Sequence, residues 1–190
     1  SYIKKFNIIN TTLLRYYIIE FIYFFFNNIS VFTISDTRSI EQDDSGEYLV
    51  SALKEQGHSL SDRKICKDNL YEIRAIISQW ILDENIHGII TTGGTGITGK
   101  DGTPEAILPL LDKTIDGFGE MFRSLSYQNI KTSTLQSRAF AGVANGTFIF
   151  CLPGSPGACK DGWNFLIKDQ LDSRTKPCNL VELMPRLNEE

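Results

Sequence analysis

What this chain of 190 residues has little of narrows the field first. It carries two histidines, His58 and His87, and four cysteines, Cys66, Cys151, Cys159 and Cys178, with no C-x-x-C pair. A structural zinc site draws its four ligands from those residue types at close spacing, so none is expected here. Thiols this scattered read as reduced and mostly buried, which places the protein in the cytoplasm. The N-x-[ST] triplets at Asn10, Asn28 and Asn145 are then coincidences of composition. There is no run of lysine or arginine, and the net charge is −4. Affinity for nucleic acid comes largely from cationic contacts to phosphate, so RNA and DNA are not expected as partners. A small phosphorylated ligand is still allowed, because a few backbone amides can hold one.

A long unbroken hydrophobic run is missing as well. The apolar stretch from Leu13 to Phe26 is interrupted by Arg15 and Glu20, whereas a membrane span needs about 20 largely apolar residues. Each charge at the bilayer centre costs about 2.5 kcal/mol or more on insertion scales, so a membrane partner is not expected. Lys4 and Lys5 resemble the start of a targeting segment, but no small-residue cleavage site follows. Residues 1–28 are therefore read as an atypical N-terminal extension and 29–190 as a single domain. Hydrophobic content of 42% and charged content of 22% suit a globular domain with a sizeable core.

The remainder of the chain alternates strand and helix. "ISVFTIS" (29–35) is a short β-branched run that reads as a buried strand. Asp44, with Glu47 three residues on, predicts a capped helix that Gly57 stops; Tyr48, Leu49, Ala52 and Leu53 share its apolar face. "LSDRKIC" (60–66) is a weaker strand. Asp68 is read as the cap of a helix in which Leu70, Ile73, Ile76, Ile77 and Trp80 recur at helical spacing. "HGIITT" (87–92) is the third strand, and Thr103-Pro104 starts the next helix as cap and first residue. Residues 116–128 and 132–139 read as helical, with Met121 in a core stripe beside Phe118, Phe122 and Leu125. "AGVANGTFIFCLP" (141–153) is a hairpin turning at Asn145-Gly146. Gly154-Ser155-Pro156 then launches a helix with Trp163, Leu166, Ile167 and Leu171 buried. This order predicts a three-layer α/β fold, a mainly parallel sheet with helices on both faces.

In such sheets ligands bind beyond the carboxyl ends of the strands. Three of those ends carry small or polar residues: Ser35-Asp36, Thr92 to Gly96, and Pro153 to Ser155. The middle one contains two overlapping phosphate-loop patterns. Gly94 to Gly99 spells G-x-G-x-x-G, but a dinucleotide fingerprint follows the first strand and needs an acid about 20 residues later. Gly94 to Lys100 spells G-x-x-x-x-G-K, but Asp101 stands where a P-loop needs the hydroxyl that binds Mg²⁺. Neither pattern fits its required context. Asp101 is read either as the cap of a turn or as a Mg²⁺ ligand beside bound phosphate. Asp68, Lys100, Ser155 and Arg138 each have an equally ordinary alternative, as helix cap or surface charge.

Taken together, "ISDTR…DDSG", "TTGGTG", "DGTPEA", "GFGEMFR", "TSTLQSRAFAGVANGT" and "LPGSPGAC" resemble the MoaB/MogA family of molybdenum-cofactor biosynthesis, most of all its MoaB branch. The resemblance runs from about Ile29 to Cys178. It implies the MogA/MoaB-like, molybdopterin-binding fold and a homo-oligomer, trimer or hexamer. It also implies adenylyl transfer from Mg-ATP to molybdopterin, with the product passed to the molybdate-insertion enzyme. By motif, Asp101 corresponds to the family's Mg²⁺-linked aspartate, and Asp68 to a second acid acting with it. Thr92, Gly93, Gly94, Thr95 and Gly96 would bind nucleotide; Ser35, Asp36, Thr103, Ser137, Gly154 and Ser155 would line the pterin and phosphate pocket. Two alternatives stay open: a member of the pathway that binds pterin without catalysis, and a nucleotide-pyrophosphate hydrolase on a related fold.

Overall fold

The computed structural model describes residues 27–189. The atypical extension, with its interrupted apolar stretch and the Asn10 triplet, thus lies almost wholly outside the described residues. Strand β1 (Asn28–Ile34), helix α1 (Asp44–Glu55), β2 (Ser59–Cys66), α2 (Leu70–Ile81) and β3 (Gly88–Thr92) form two βαβ units. A short α3 (Thr103–Ile107), a two-residue β4 (Lys113–Thr114) and the long α4 (Asp116–Ile130) follow. A hairpin of β5 (Phe140–Ala144) and β6 (Thr147–Leu152) leads to α5 (Pro156–Gly162). Beyond α5 the chain continues through a π-helical turn, Trp163–Ile167.

The six strands lie in the order β2-β1-β3-β6-β5-β4. The pairings among β2, β1, β3 and β6 are parallel, and β5 and β4 join antiparallel at one side. Side chains alternate across this sheet, as strand geometry requires. Ile29, Val31, Ile90, Phe148 and Phe150 belong to a core shared with Leu49, Leu53, Phe122 and Trp163. Phe32, Ile34, Ile89 and Ile149 face the other way, onto Ile73, Ile77, Trp80 and Ile107. Helices α1, α4 and α5 therefore cover one face and α2 and α3 the other, giving the three expected layers. At Asn145-Gly146 both residues take positive φ, 47° and 80°, as the hairpin turn demands.

Several local expectations shift by a residue or more. Asp43, not Asp44, caps α1, its carboxylate accepting from the Gly46 amide. Asn69, not Asp68, caps α2, accepting from the amides of Tyr71 and Glu72. Asp68 is thereby released from capping. Gly102 rather than Thr103 is the cap position of α3. The segment read as a helix over 132–139 is a 3₁₀ turn, Lys131–Gln136, with Ser137, Arg138 and Ala139 linking it to β5. Met121 is 57% exposed and lies outside the core, while Phe118 and Phe122 are buried. No helix among the described residues is long and apolar enough to cross a membrane.

Candidate functional site

Because β1, β3 and β6 are adjacent and parallel, the loops leaving their carboxyl ends emerge along one edge. The glycines of the middle loop let these three ends approach one another. Gly93 has φ +104°, and a Cβ there would meet the Ile34 carbonyl oxygen at 2.1 Å. Gly94 has φ +65°, and a Cβ would meet the Thr103 hydroxyl at 2.3 Å. Any other residue would be strained and would push β1 and α3 away. Polar contacts pin the loop in place. The Gly93 amide donates to Leu152 O, the Thr103 amide to Gly94 O, and the Thr103 hydroxyl to Gly93 O at 2.9 Å. The Thr92 hydroxyl donates to Pro153 O at 3.0 Å, joining the β3 and β6 ends. Thr92 and Thr103 are both fully buried, so their side chains build the loop from beneath and do not face a ligand.

Two clefts flank this loop. The larger, of about 520 Å³, is bounded by Ser35 and Arg38 after β1, by Gly93 to Gly96, and by Gly154 and Ser155 after β6. Ser137 lines it from the segment before β5, with Phe122 and Ile130 of α4 supplying an apolar wall. Ser155 also caps α5, accepting from the Ala158 amide at 3.2 Å. The smaller cleft, of about 410 Å³, is lined by Asp68, Leu70, Ile97, Lys100, Glu105 and Arg138 among others. Asp101 lines both. The structure thus brings Ser35, Ser137, Gly154 and Ser155 together around the glycine loop, and sets Asp68 on its far side. Asp36, expected to line the pocket, lines neither cleft. Its carboxylate pairs with Lys100 Nζ at 3.2 Å and accepts from the Asp68 amide at 3.1 Å.

The acids differ in their electrostatics. Burial favours protonation of Asp101, but bonds from the Thr98 hydroxyl (2.7 Å) and amide (2.8 Å), the Gly96 amide and the Arg138 charge outweigh it. Its carboxyl is therefore held below the usual range. Asp68 moves the other way: burial, reinforced by the charges of Asp101 and Asp36, raises its carboxyl despite the Gly102 amide at 3.1 Å. Asp36 is lowered by its hydrogen bond with Lys100 and by the Asp68 amide. The two nearby carboxyls thus shift in opposite directions, Asp101 through the bonds it accepts and Asp68 through burial and its acidic neighbours.

No group of three or more His, Cys, Asp or Glu side chains able to hold a metal occurs among the described residues. Mg²⁺ commonly takes one or two carboxylates and completes its shell with water and substrate phosphates. Asp101, with Asp68 across the Gly102 amide, fits a magnesium ion that arrives with a polyphosphate; the donor set does not fit a metal held by protein alone.

Two arginines bear on the site: Arg38, which no sequence pattern singles out, and Arg138, which the sequence offers with a surface charge as its ordinary reading. Arg38 is the one lysine or arginine among the residues lining the larger cleft. Its Nη1 donates to Gly154 O at 3.0 Å, and Ser45, from the first turn of α1, donates to the same oxygen at 2.9 Å. The Ser35 hydroxyl accepts from the Arg38 amide at 3.2 Å and sets its backbone. Arg138, read as an ordinary surface charge, grips the glycine loop by its main chain. The "ISDTR" and "QSRAF" strings contain both, but nothing local separates them from solvated arginines.

Fold and site together define a class: a three-layer α/β protein with a ligand cleft at a glycine loop where parallel strands end. A family model described as a probable molybdopterin binding domain matches residues 30–173. A molybdenum cofactor biosynthesis protein B of Escherichia coli K12 is 52% identical over 151 residues, 80% of this chain and 89% of that one. Its counterpart in Bacillus subtilis is 43% identical over 142 residues, covering 74% and 84%. A crystal structure of a molybdenum cofactor biosynthesis protein B superposes with TM-score 0.73 at 42% identity, over 76% of this chain and 90% of that one. The tungsten cofactor synthesizing protein MoaB of Pyrococcus furiosus gives 0.68 at 33% identity, over 77% and 92%. The chain belongs to the MoaB/MogA family of molybdenum-cofactor biosynthesis proteins.

Proposed function

We propose that this chain adenylylates molybdopterin in the cytoplasm. An oxygen of the pterin's terminal phosphate attacks the α-phosphorus of Mg-ATP, a new P–O bond forms, and the bond to the β-phosphate oxygen breaks. Pyrophosphate leaves with the electron pair. The observation that carries this reading is the position of Asp101, the residue common to both clefts, on a loop that separates them. Phosphates of two ligands held along the glycine loop would meet beside it. Magnesium bound there would neutralise the phosphate charge that otherwise repels the attacking anion.

The chain's own residues do the rest by position and charge. Gly93 to Gly96 present backbone to the nucleotide. Arg38, Ser35, Ser137 and Ser155 offer donors to an anionic ligand in the larger cleft. Asp101, held ionised by Thr98 and Gly96, is ready for a cation at neutral pH. Asp68 assists from the smaller cleft. The reading includes a homo-oligomer, trimer or hexamer, supported by exposed Met121 and Tyr127 on α4 and by Leu135 beyond it.

The test supplies molybdopterin with Mg-ATP labelled at the α-phosphate and follows adenylylated pterin and pyrophosphate. The wild type is expected to turn over, and Asp101→Asn to lose about 10²-fold or more in kcat. A wild type no faster than Asp101→Asn sinks the reading. Stoichiometric pterin binding without pyrophosphate release would identify a binding member of the family instead.

A further inference from the structure

Arg138 lies between the 3₁₀ turn and β5, 42 residues along the chain from Gly96. Its Nε donates to Gly96 O at 2.6 Å and its Nη2 to Asp101 O at 2.6 Å. The same guanidinium pairs with Glu105, Nη1 to Oε1 and Nη2 to Oε2. Its backbone amide donates to Thr95 O at 2.9 Å. One residue therefore holds the glycine loop at Thr95, Gly96 and Asp101, and holds the first turn of α3 as well. Between those anchors Ile97, Thr98, Gly99 and Lys100 are exposed.

The Arg138–Glu105 pair is partly open to solvent, 34% and 53%. Pairs of that kind add little to stability. What the planar fork does supply is direction: its N–H groups diverge at fixed angles and reach acceptors on separate segments, which a lysine ammonium cannot copy. Inside the loop, the Thr98 hydroxyl and amide bond the Asp101 carboxylate and the Asp101 amide donates to Thr98 O. The ties from this stretch to other segments are the Lys100–Asp36 pair and the Asp68 contact to the Gly102 amide. Those locate the loop's outer end. Neither touches Gly96 or the Asp101 main chain.

We propose that Arg138, oriented by Glu105, is the positioning residue that aims Asp101 and the glycine loop for the adenylyl transfer proposed above, on which this reading rests. Arg138 acts through Asp101 and needs no contact with the reacting atoms.

Hydrogen–deuterium exchange and steady-state kinetics on Arg138→Gln and Arg138→Lys test this. In both variants, exchange in a peptide covering residues 95–102 is expected to rise about tenfold, with the rest of the chain unchanged. The kcat should fall about 10²-fold while KM for ATP changes less than about threefold, the mark of an interaction made in the transition state. Glu105→Gln, which keeps both carbonyl contacts, should fall between wild type and Arg138→Gln. The proposal is overturned if exchange in 95–102 stays within about twofold of wild type, or if it rises across the whole chain, the sign of a general folding defect. Restoration of kcat by Arg138→Lys would also overturn it. A wild type that transfers no adenylyl group refutes the reaction itself, and the exchange measurement still decides whether Arg138 clamps the loop.

Discussion

His58 offers a quantitative check on the packing behind the site. It follows Gly57, whose φ of +98° ends α1, and its ring stacks edge-on against Trp163 at 6.1 Å. The side chain is 7% exposed, and neither ring nitrogen has a hydrogen-bond partner among the described residues. Burial lowers its pKa from 6.5 to about 4, against a smaller opposing pull from the Asp172 charge. The folded protein thus keeps the ring neutral at pH values where the unfolded chain protonates it. Stability from this group is complete above about pH 6.5 and is lost as pH falls toward 4, because the unfolded state then binds more protons. At 1.36 kcal/mol per pK unit, the loss is about 2 kcal/mol at pH 5 and about 3 kcal/mol at pH 4. Replacing His58 by Leu removes this dependence. Urea denaturation of both proteins at pH 8 and pH 5 should show their stability difference change by about 2 kcal/mol in favour of the variant at low pH. In thermal melts that corresponds to about 4–8 °C. Whatever the substitution costs at pH 8 cancels in the comparison. Parallel pH profiles would refute the buried, neutral histidine.

Two further expectations concern the frame of the cleft. Gly93→Ala puts a Cβ at positive φ and against the Ile34 carbonyl, so it should destabilise the fold by about 3 kcal/mol in the same denaturation assay; a neutral effect would show that β1 and β3 do not approach so closely. Asp43 is 2% exposed, caps α1, pairs with Arg63 at 3.2 Å and accepts from the Thr33 hydroxyl at 2.7 Å. Asp43→Ala should cost about 3 kcal/mol or more and Asp43→Asn less, since the amide oxygen can still cap. Equal losses would assign the effect to the ion pair alone.

Local patterns in the sequence carried the fold a long way. Short apolar runs in 29–35, 87–92 and 141–153 identified the strands, because a sheet covered on both faces needs apolar side chains at odd and even positions alike. Glycine and proline marked the turns, since their φ preferences are properties of the residue itself. The glycine loop could be placed at the end of the third strand, and both phosphate-loop patterns set aside, from position in the chain. Caps were found only to within one residue: Asp43 beside Asp44, and Asn69 beside Asp68, offer the same oxygen chemistry until backbone geometry chooses. The edge strand Lys113–Thr114 is too short for any periodicity to register.

What folding alone decided is which polar groups meet. Arg38 reaches Gly154 across 116 residues and Arg138 reaches Asp101 across 37, contacts that no local spacing encodes. The same closure turned Thr92 and Thr103 inward as supports of the loop and separated Asp68 from the larger cleft. Residue type and spacing set what each segment can form, through backbone preference and burial. Which side chains face the ligand is settled only when distant strand ends are brought to one edge, because hydrogen bonds depend on distance and direction in space, not on order along the chain.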